Sequence, residues 1–304
     1  MQINNDYRLD HASADALGSI LRSFADYGSS INMCRTFCKV PSKTPTIQSF
    51  SAALSAQLNS LNTKLANLQS QYANLNTHTT SLIVLQNTLQ PDLEVFHSLK
   101  PLVSGPHTST SLLTELHELA CHSNAIGDVP FYKFVLRLFI PTLETYLRPL
   151  HAWMTSGQLQ FSNDFFINHS QEGGIQMYDL TRDANNGVAA PRFMLPVINR
   201  ILAAGKTMAF VNRMSVANSS IPSSDTFPQF ETNGVNPFEQ AFEMTLDAWI
   251  TEKYALASES LKVAIHDTSE IWRELDRVHG IYSMLSHQNM TLFMDKLFQK
   301  VYRL

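Results

Sequence analysis

The sequence predicts an all-α protein, and three observations carry that prediction. Apolar residues recur at alternating spacings of three and four over most of the 304 residues, the period of a helix with one buried face. Clusters of Gly, Pro, Ser and Asn are confined to a few short stretches, which read as breaks between helices. The most regular run, Thr46–Gln90, contains Lys64 as its one formally charged residue. A free two-stranded coiled coil flanks its seam with charges, so this run reads as a helix packed inside a larger bundle.

The elements follow in order. Residues 9–27 predict an amphipathic helix through Leu9, Leu17, Ile20, Leu21, Phe24 and Tyr27, stopping at Gly28. A shorter helix carries Ile31, Cys34, Phe37 and Cys38, and Pro41 and Pro45 break the chain after it. The seam then runs through Leu54, Leu58, Leu61, Leu65, Leu68, Tyr72, Leu75, Leu82, Leu89, Leu93 and Phe96, interrupted at Pro91. Residues 109–125 present Leu112, Leu113, Leu116, Leu119 and Ala120. Residues 130–155 form a long apolar element in which Pro141 and Pro149 predict a kink or break. Residues 168–190 read as loop, with one short extended piece through Ile175, Met177 and Leu180. Helix resumes after Pro191 and runs to about Met214. Residues 215–236 read as a polar linker, and 237–304 return to helical periodicity. The expected organisation is an N-terminal helical domain over 1–214, that linker, and the truncated start of a second domain over 237–304.

Composition narrows the function classes. Apolar residues make up 44% and charged residues 16% of the chain, well under the usual charged share of about 25%. With a net charge of −4, nothing suggests a polyanion partner such as nucleic acid, which would leave a basic patch. No continuous apolar run reaches the roughly 18 residues of a membrane span. The first ten residues lack the basic and apolar regions of a secretory signal. The cysteines, Cys34, Cys38 and Cys121, are odd in number and read as packed thiols of a reducing compartment.

Motifs for chemistry fail on geometry. Gly205-Lys206-Thr207 looks like the end of a phosphate loop, but Arg200 stands where that loop needs its first glycine. His117-Glu118 and His122 approach a zinc-protease helix, whose histidines stand at i and i+4 on one face; here the second is one residue too far. Cys34 and Cys38 lack a second ligand pair. No GxSxG elbow and no paired acid and base stand out. No catalytic residue, cofactor or metal is expected.

The stretch 147–167, LRPLHAWMTSGQLQFSNDFFI, has a physical sense of its own. A helix docks through Leu150 and Trp153, stops at Gly157 in a left-handed cap, and is pinned back by Phe165, Phe166 and Ile167. The array of Tyr146, Leu147, Leu150, Trp153, Gly157, Leu159, Asp164, Phe165, Phe166 and Ile167 resembles a hallmark of the gamma-tubulin complex component family, the spindle-pole-body component family of fungi. The stretch 191–210, with its Ile-Leu-x-x-Gly-Lys run ending at Gly205 and Lys206, resembles the family's proline-initiated helix. Stretches 238–261 and 281–301 resemble the join into the family's C-terminal domain. The likeness covers 131–304 and points to a divergent fungal member, similar to components five or six.

The resemblance implies an elongated stack of helical bundles. It implies side-by-side association with other gamma-tubulin complex components in microtubule nucleation, with gamma-tubulin held mainly by a C-terminal region absent here. It implies neither nucleic-acid nor membrane partners. It implies a place in the cytoplasm, on the cytoskeleton, at a microtubule-organising centre such as the spindle pole body. The family residues named above are expected to be structural. The alternative is a helical scaffold of another kind, such as a vesicle-tethering subunit.

Overall fold

The computed structural model describes residues 14–42, 44–74, 81–105, 108–159, 165–172, 175–182, 187–214, 227–230, 237–268, 271–283 and 287–302. Among these, helix dominates, joined by one two-stranded sheet. The helices are α1 (Ala14–Lys39), α2 (Pro45–Asn74), α3 (Leu82–Ser98), α4 (Lys100–Ser104), α5 (Ser109–Ile126) and α6 (Val129–Ser156), then α7 (Ile198–Arg213), α8 (Phe238–Thr268), α9 (Ile271–Tyr282) and α10 (His287–Val301). Strands β1 (Ile167–Glu172) and β2 (Ile175–Leu180) pair antiparallel, and a 3₁₀ segment, Arg192–Val197, leads into α7.

The junction of α5 and α6 shows local chemistry setting the elements. Thr108 and Ser111 form a reciprocal capping box at the start of α5. Gly127 ends α5 with φ +81, and Asp128 then caps α6 by accepting from the Phe131 N–H at 3.1 Å. A left-handed glycine followed at once by an N-cap makes a hard turn between two helices with no spare residue.

Helix α6 is the spine. Val135, Leu138, Leu143, Leu147, Leu150 and Trp153 are fully buried along it, and it packs on α2, α3, α5, α7 and α8. Helix α1 packs on α2, α3 and α4, and α2 and α3 pack on α6, where Phe96 meets Phe134 edge-on at 5.1 Å. Helix α8 runs along α6 from Tyr132 and Phe139, beside Phe238 and Phe242, to His151, beside Trp249. The end of α6 meets α7 and the hairpin. In α2, Phe50, Leu54, Leu58 and Leu61 are buried, while Leu65 and Leu68 are only half-buried. The seam read as one element is thus two helices, and its Leu75 lies outside the described residues.

Four expectations change. Residues 14–39 form one helix that runs through Gly28, and positions 9–13 lie outside the described residues. Pro91, Pro141 and Pro149 sit inside α3 and α6 without ending either helix. A proline removes one intrahelical hydrogen bond, and tertiary burial on both sides of it outweighs that loss. Residues 168–172, read as loop, belong to strand β1, which pairs with the short extended piece expected around Met177. Finally, the boundary at 215–236 does not separate two cores. Phe238, Phe242, Leu246, Trp249 and Ile250 of α8 are buried in the same core as α5, α6 and α7. Within that segment, Phe227 lies 5.3 Å from His151 of α6 and Phe230 stacks on Phe242 of α8 at 4.8 Å.

Helices α9 and α10 differ from the rest. Trp272, Leu275 and Val278 on α9, and Phe293, Leu297 and Val301 on α10, are exposed although they follow helical spacing.

Candidate functional site

The residues singled out in sequence meet at the end of α6. Tyr146, Leu147, Leu150 and Trp153 are buried on the face that α6 turns inward. Gly157 then closes the helix: its φ is +61, and its N–H donates to the Trp153 carbonyl at 2.9 Å. That conformation suits glycine because any Cβ would clash locally. The chain returns along the body. Leu159 packs against the core half-buried, and Phe165, Phe166 and Ile167 are buried, with the Phe165 and Phe166 rings 4.8 Å apart. Asp164 lies outside the described residues. From Ile167 the hairpin carries Tyr178 back to the joint, 4.7 Å from the Trp153 ring.

The other half of the joint is α7. Gly205 is buried in it, and a Cβ on Gly205 would fall inside the Trp153 indole. One turn on, a Cβ on Gly157 would fall inside the backbone of Ala209. Two glycines on two helices therefore do opposite jobs at one contact. Gly205 makes room for a side chain from α6, and Gly157 lets the end of α6 touch the backbone of α7. The Asn212 amide Nδ2 donates to the Ser156 carbonyl, satisfying one of the last acceptors of α6. Trp153 Nε1 is buried without a hydrogen-bond partner among the described residues, which opposes burial and must be outweighed by packing.

This placement settles how Gly205-Lys206-Thr207 is used. The amides of these residues belong to an intact helix turn, and Trp153 covers Gly205, so they cannot cradle phosphate. Lys206 points outward, 3.8 Å from Asp179 of β2, as an exposed ion pair between α7 and the hairpin.

A second cluster lies where α5, α6, the 3₁₀ segment and α8 meet. His117 is buried among Phe139, Phe193, Phe238 and Phe242, with ring centroids 4.9–6.0 Å away. His122 is exposed, so the two histidines of the zinc-like motif do not face one point. Burial holds the His117 pKa below its ordinary value, with the carboxylates of Glu239 and Glu118 partly opposing. The Cys121 thiol sits 3.7 Å from His117 Nε2. Its pKa is pushed up to about 12 by burial and then by Glu239 and Glu243. An activated cysteine needs the reverse, a thiolate favoured by positive surroundings. The arrangement packs helices and keeps Cys121 protonated. Cys34, fully buried on α1, is likewise raised to about 11 by burial, with Cys38 adding to it.

Sequence reading missed the aromatic cage because its parts come from four elements. The one local sign was the i, i+4 pair Phe238 and Phe242 on a single helix face.

One segment, Arg192–Arg213, has the length and apolarity of a membrane-crossing helix. Its apolar side is spent on α6 and α8, through Ile198, Ile201, Ala204 and Met208, which is the pattern of a core helix.

The model of the family described as gamma tubulin complex component N-terminal matches residues 2–267, most of the chain. The matched range includes the α6–α7 joint and the stretch 215–236. Among curated proteins, none matches the chain. With an all-α fold and a family match of that extent, the chain belongs to the gamma-tubulin complex component family.

Proposed function

We propose that this chain is a non-catalytic structural component of a gamma-tubulin complex, whose helical body associates side by side with other components during microtubule nucleation. The observation that carries the reading is the family match over residues 2–267. The structure supports it in kind. A part that sets the angle between neighbours must resist bending, and the α6–α7 joint is filled by an indole with no free volume at Gly205. The raised thiol pKa values and the covered Gly205 give the candidate chemical motifs no working geometry. In this reading the chain works at a microtubule-organising centre, the spindle pole body in a fungal cell. Lateral assembly, not capture of gamma-tubulin, is the task of residues 1–304.

Affinity purification of the protein from its own cells tests the role. Other gamma-tubulin complex components and gamma-tubulin should come with it; vesicle-tethering subunits in their place would overturn the reading. A pull-down separates the finer claim. The 304-residue chain should hold purified gamma-tubulin weakly, and tight binding by it would sink that claim.

A further inference from the structure

Helices α5 and α7 sit across the α5–α8 bundle from each other, both packed on α6 and α8. Each turns its apolar side inward, through Leu112, Leu116 and Ala120 on α5 and Ile201, Ala204 and Met208 on α7. Their outer faces therefore point to opposite flanks. Those flanks carry opposite charge. On α7, Lys206, Phe210 and Arg213 fall at i, i+4 and i+7, on one helical face. Phe210 is 50% exposed and lies beside the exposed Met177 of β2 along a shallow groove. On α5, Glu115, Glu118 and His122 border a groove of about 480 Å³ against α4, whose apolar lining is Pro101, Leu102 and Leu119. One flank is an aromatic knob with a cation a turn away on either side. The other is an apolar hollow edged by two carboxylates and the exposed His122.

Both flanks already hold ion pairs. Lys206 is 3.8 Å from Asp179, and Glu118 bonds Arg192 at 2.9 Å. Each pair is solvent-exposed, and such pairs are weak enough to exchange partners on docking.

We propose that the α7 flank of one molecule docks into the α4–α5 groove of a second copy, with Phe210 in the groove and Lys206 and Arg213 facing Glu115 and Glu118. This rests on the lateral-assembly reading and assigns that assembly a surface. The occupant is a second copy because the complementarity lies between two patches of this one chain. Knob and groove are different patches on opposite flanks, so the contact is heterologous and repeats head to tail, as a row or ring requires. A buried aromatic ringed by charge is also how binding energy concentrates in interfaces, and the charges set register and encounter rate.

Sedimentation of the 304-residue chain over a concentration series, at low and high salt, tests the proposal. Association should grow with concentration and weaken with salt. Phe210→Glu should weaken it at least tenfold, as should Lys206→Glu with Arg213→Glu, and Glu115→Lys with Glu118→Lys. Mixing the two charge-reversed variants should restore association, since each then offers the face the other lacks. Thermal melts matching the parent show that the variants fold. A chain that stays monomeric, variants that associate like the parent, or a mixture that fails to restore association each overturn the proposal. If purification from cells still recovers other complex components, the surface assignment fails and the role stands; if it recovers none, the role itself fails.

Discussion

The Trp153 indole of α6 occupies the space that a side chain at position 205 of α7 would need. A large residue on one helix and an absent side chain on the other form a single lock, and neither makes sense without its partner.

Gly205→Ala should therefore destabilise the protein. Alanine favours a helix over glycine by about 1 kcal/mol, so propensity alone predicts a gain. Overpacking a filled core instead costs about 1–3 kcal/mol. Urea unfolding should show a net loss, and Trp153→Leu in the same chain should make the two losses less than additive. A Gly205→Ala protein more stable than its parent would remove the lock.

Two glycine caps separate conformational strain from collision. Gly127 has φ +81 and open space where a methyl would stand, whereas Gly157 has φ +61 and the Ala209 backbone in the way. Gly127→Ala should cost about 1–2 kcal/mol, the left-handed penalty alone. Gly157→Ala should cost clearly more in the same denaturation assay, and equal losses would show that α7 yields at Ala209.

Replacing Trp153 or Phe166 by Ala should cost about 3–5 kcal/mol each, because both are fully buried. Phe210→Ala, on the exposed outer face of α7, should stay within about 0.5 kcal/mol. The contrast separates core from surface on one pair of helices, and variants of Trp153 and Phe166 that melt like the parent would put those side chains outside the core.

His117 ties stability to pH. Its folded pKa lies below the ordinary 6.5, first through burial, with Glu239 and Glu118 opposing. The unfolded chain therefore takes the proton first. The stabilising contribution of the neutral ring is fully present above the unfolded pKa and is lost as pH falls below it. Melting temperature should drop between about pH 7 and pH 5.5, and His117→Leu should flatten that part of the curve. An unchanged slope in the variant would show that other groups set it.

The thiols should be sluggish. With Cys121 near 12 and Cys34 near 11, almost no thiolate is present at neutral pH. Iodoacetamide should label both far more slowly in the native protein than in urea, where access and ordinary pKa return. Equal rates would mean that neither site is protected.

Much of the fold was legible because helical period and caps are local. Helices α5 and α6 appear within a residue or two of their expected ends, and the left-handed stop at Gly157 follows from sequence. What Trp153 rests on is another matter. Period identifies a buried residue but not its partner, and Gly205, which looked like half of a nucleotide motif, is that partner. Strand β1 escaped because Asn168, His169 and Ser170 break the alternation that marks a strand, and its pairing with Tyr178 and Met177 comes from β2. The prolines misled because a break in the hydrogen-bond ladder was read without the packing that outweighs it. The stretch 215–236 misled in the opposite sense, since Ser, Pro and Asn outnumber the two aromatics, Phe227 and Phe230, that fasten it.

That fastening has a consequence for how the molecule comes apart. Helix α8 holds to α5, α6 and α7 through Phe242, Leu246, Trp249 and Ile250, and through the Arg200 guanidinium bound to Asp247 and Thr251. A chain cut between Arg213 and Phe227 would lose a covalent link and keep every one of these contacts. The two pieces should then behave as a complemented pair, migrating together until denaturant melts them together. Where the polypeptide looks most like a hinge between parts, cooperativity passes straight through.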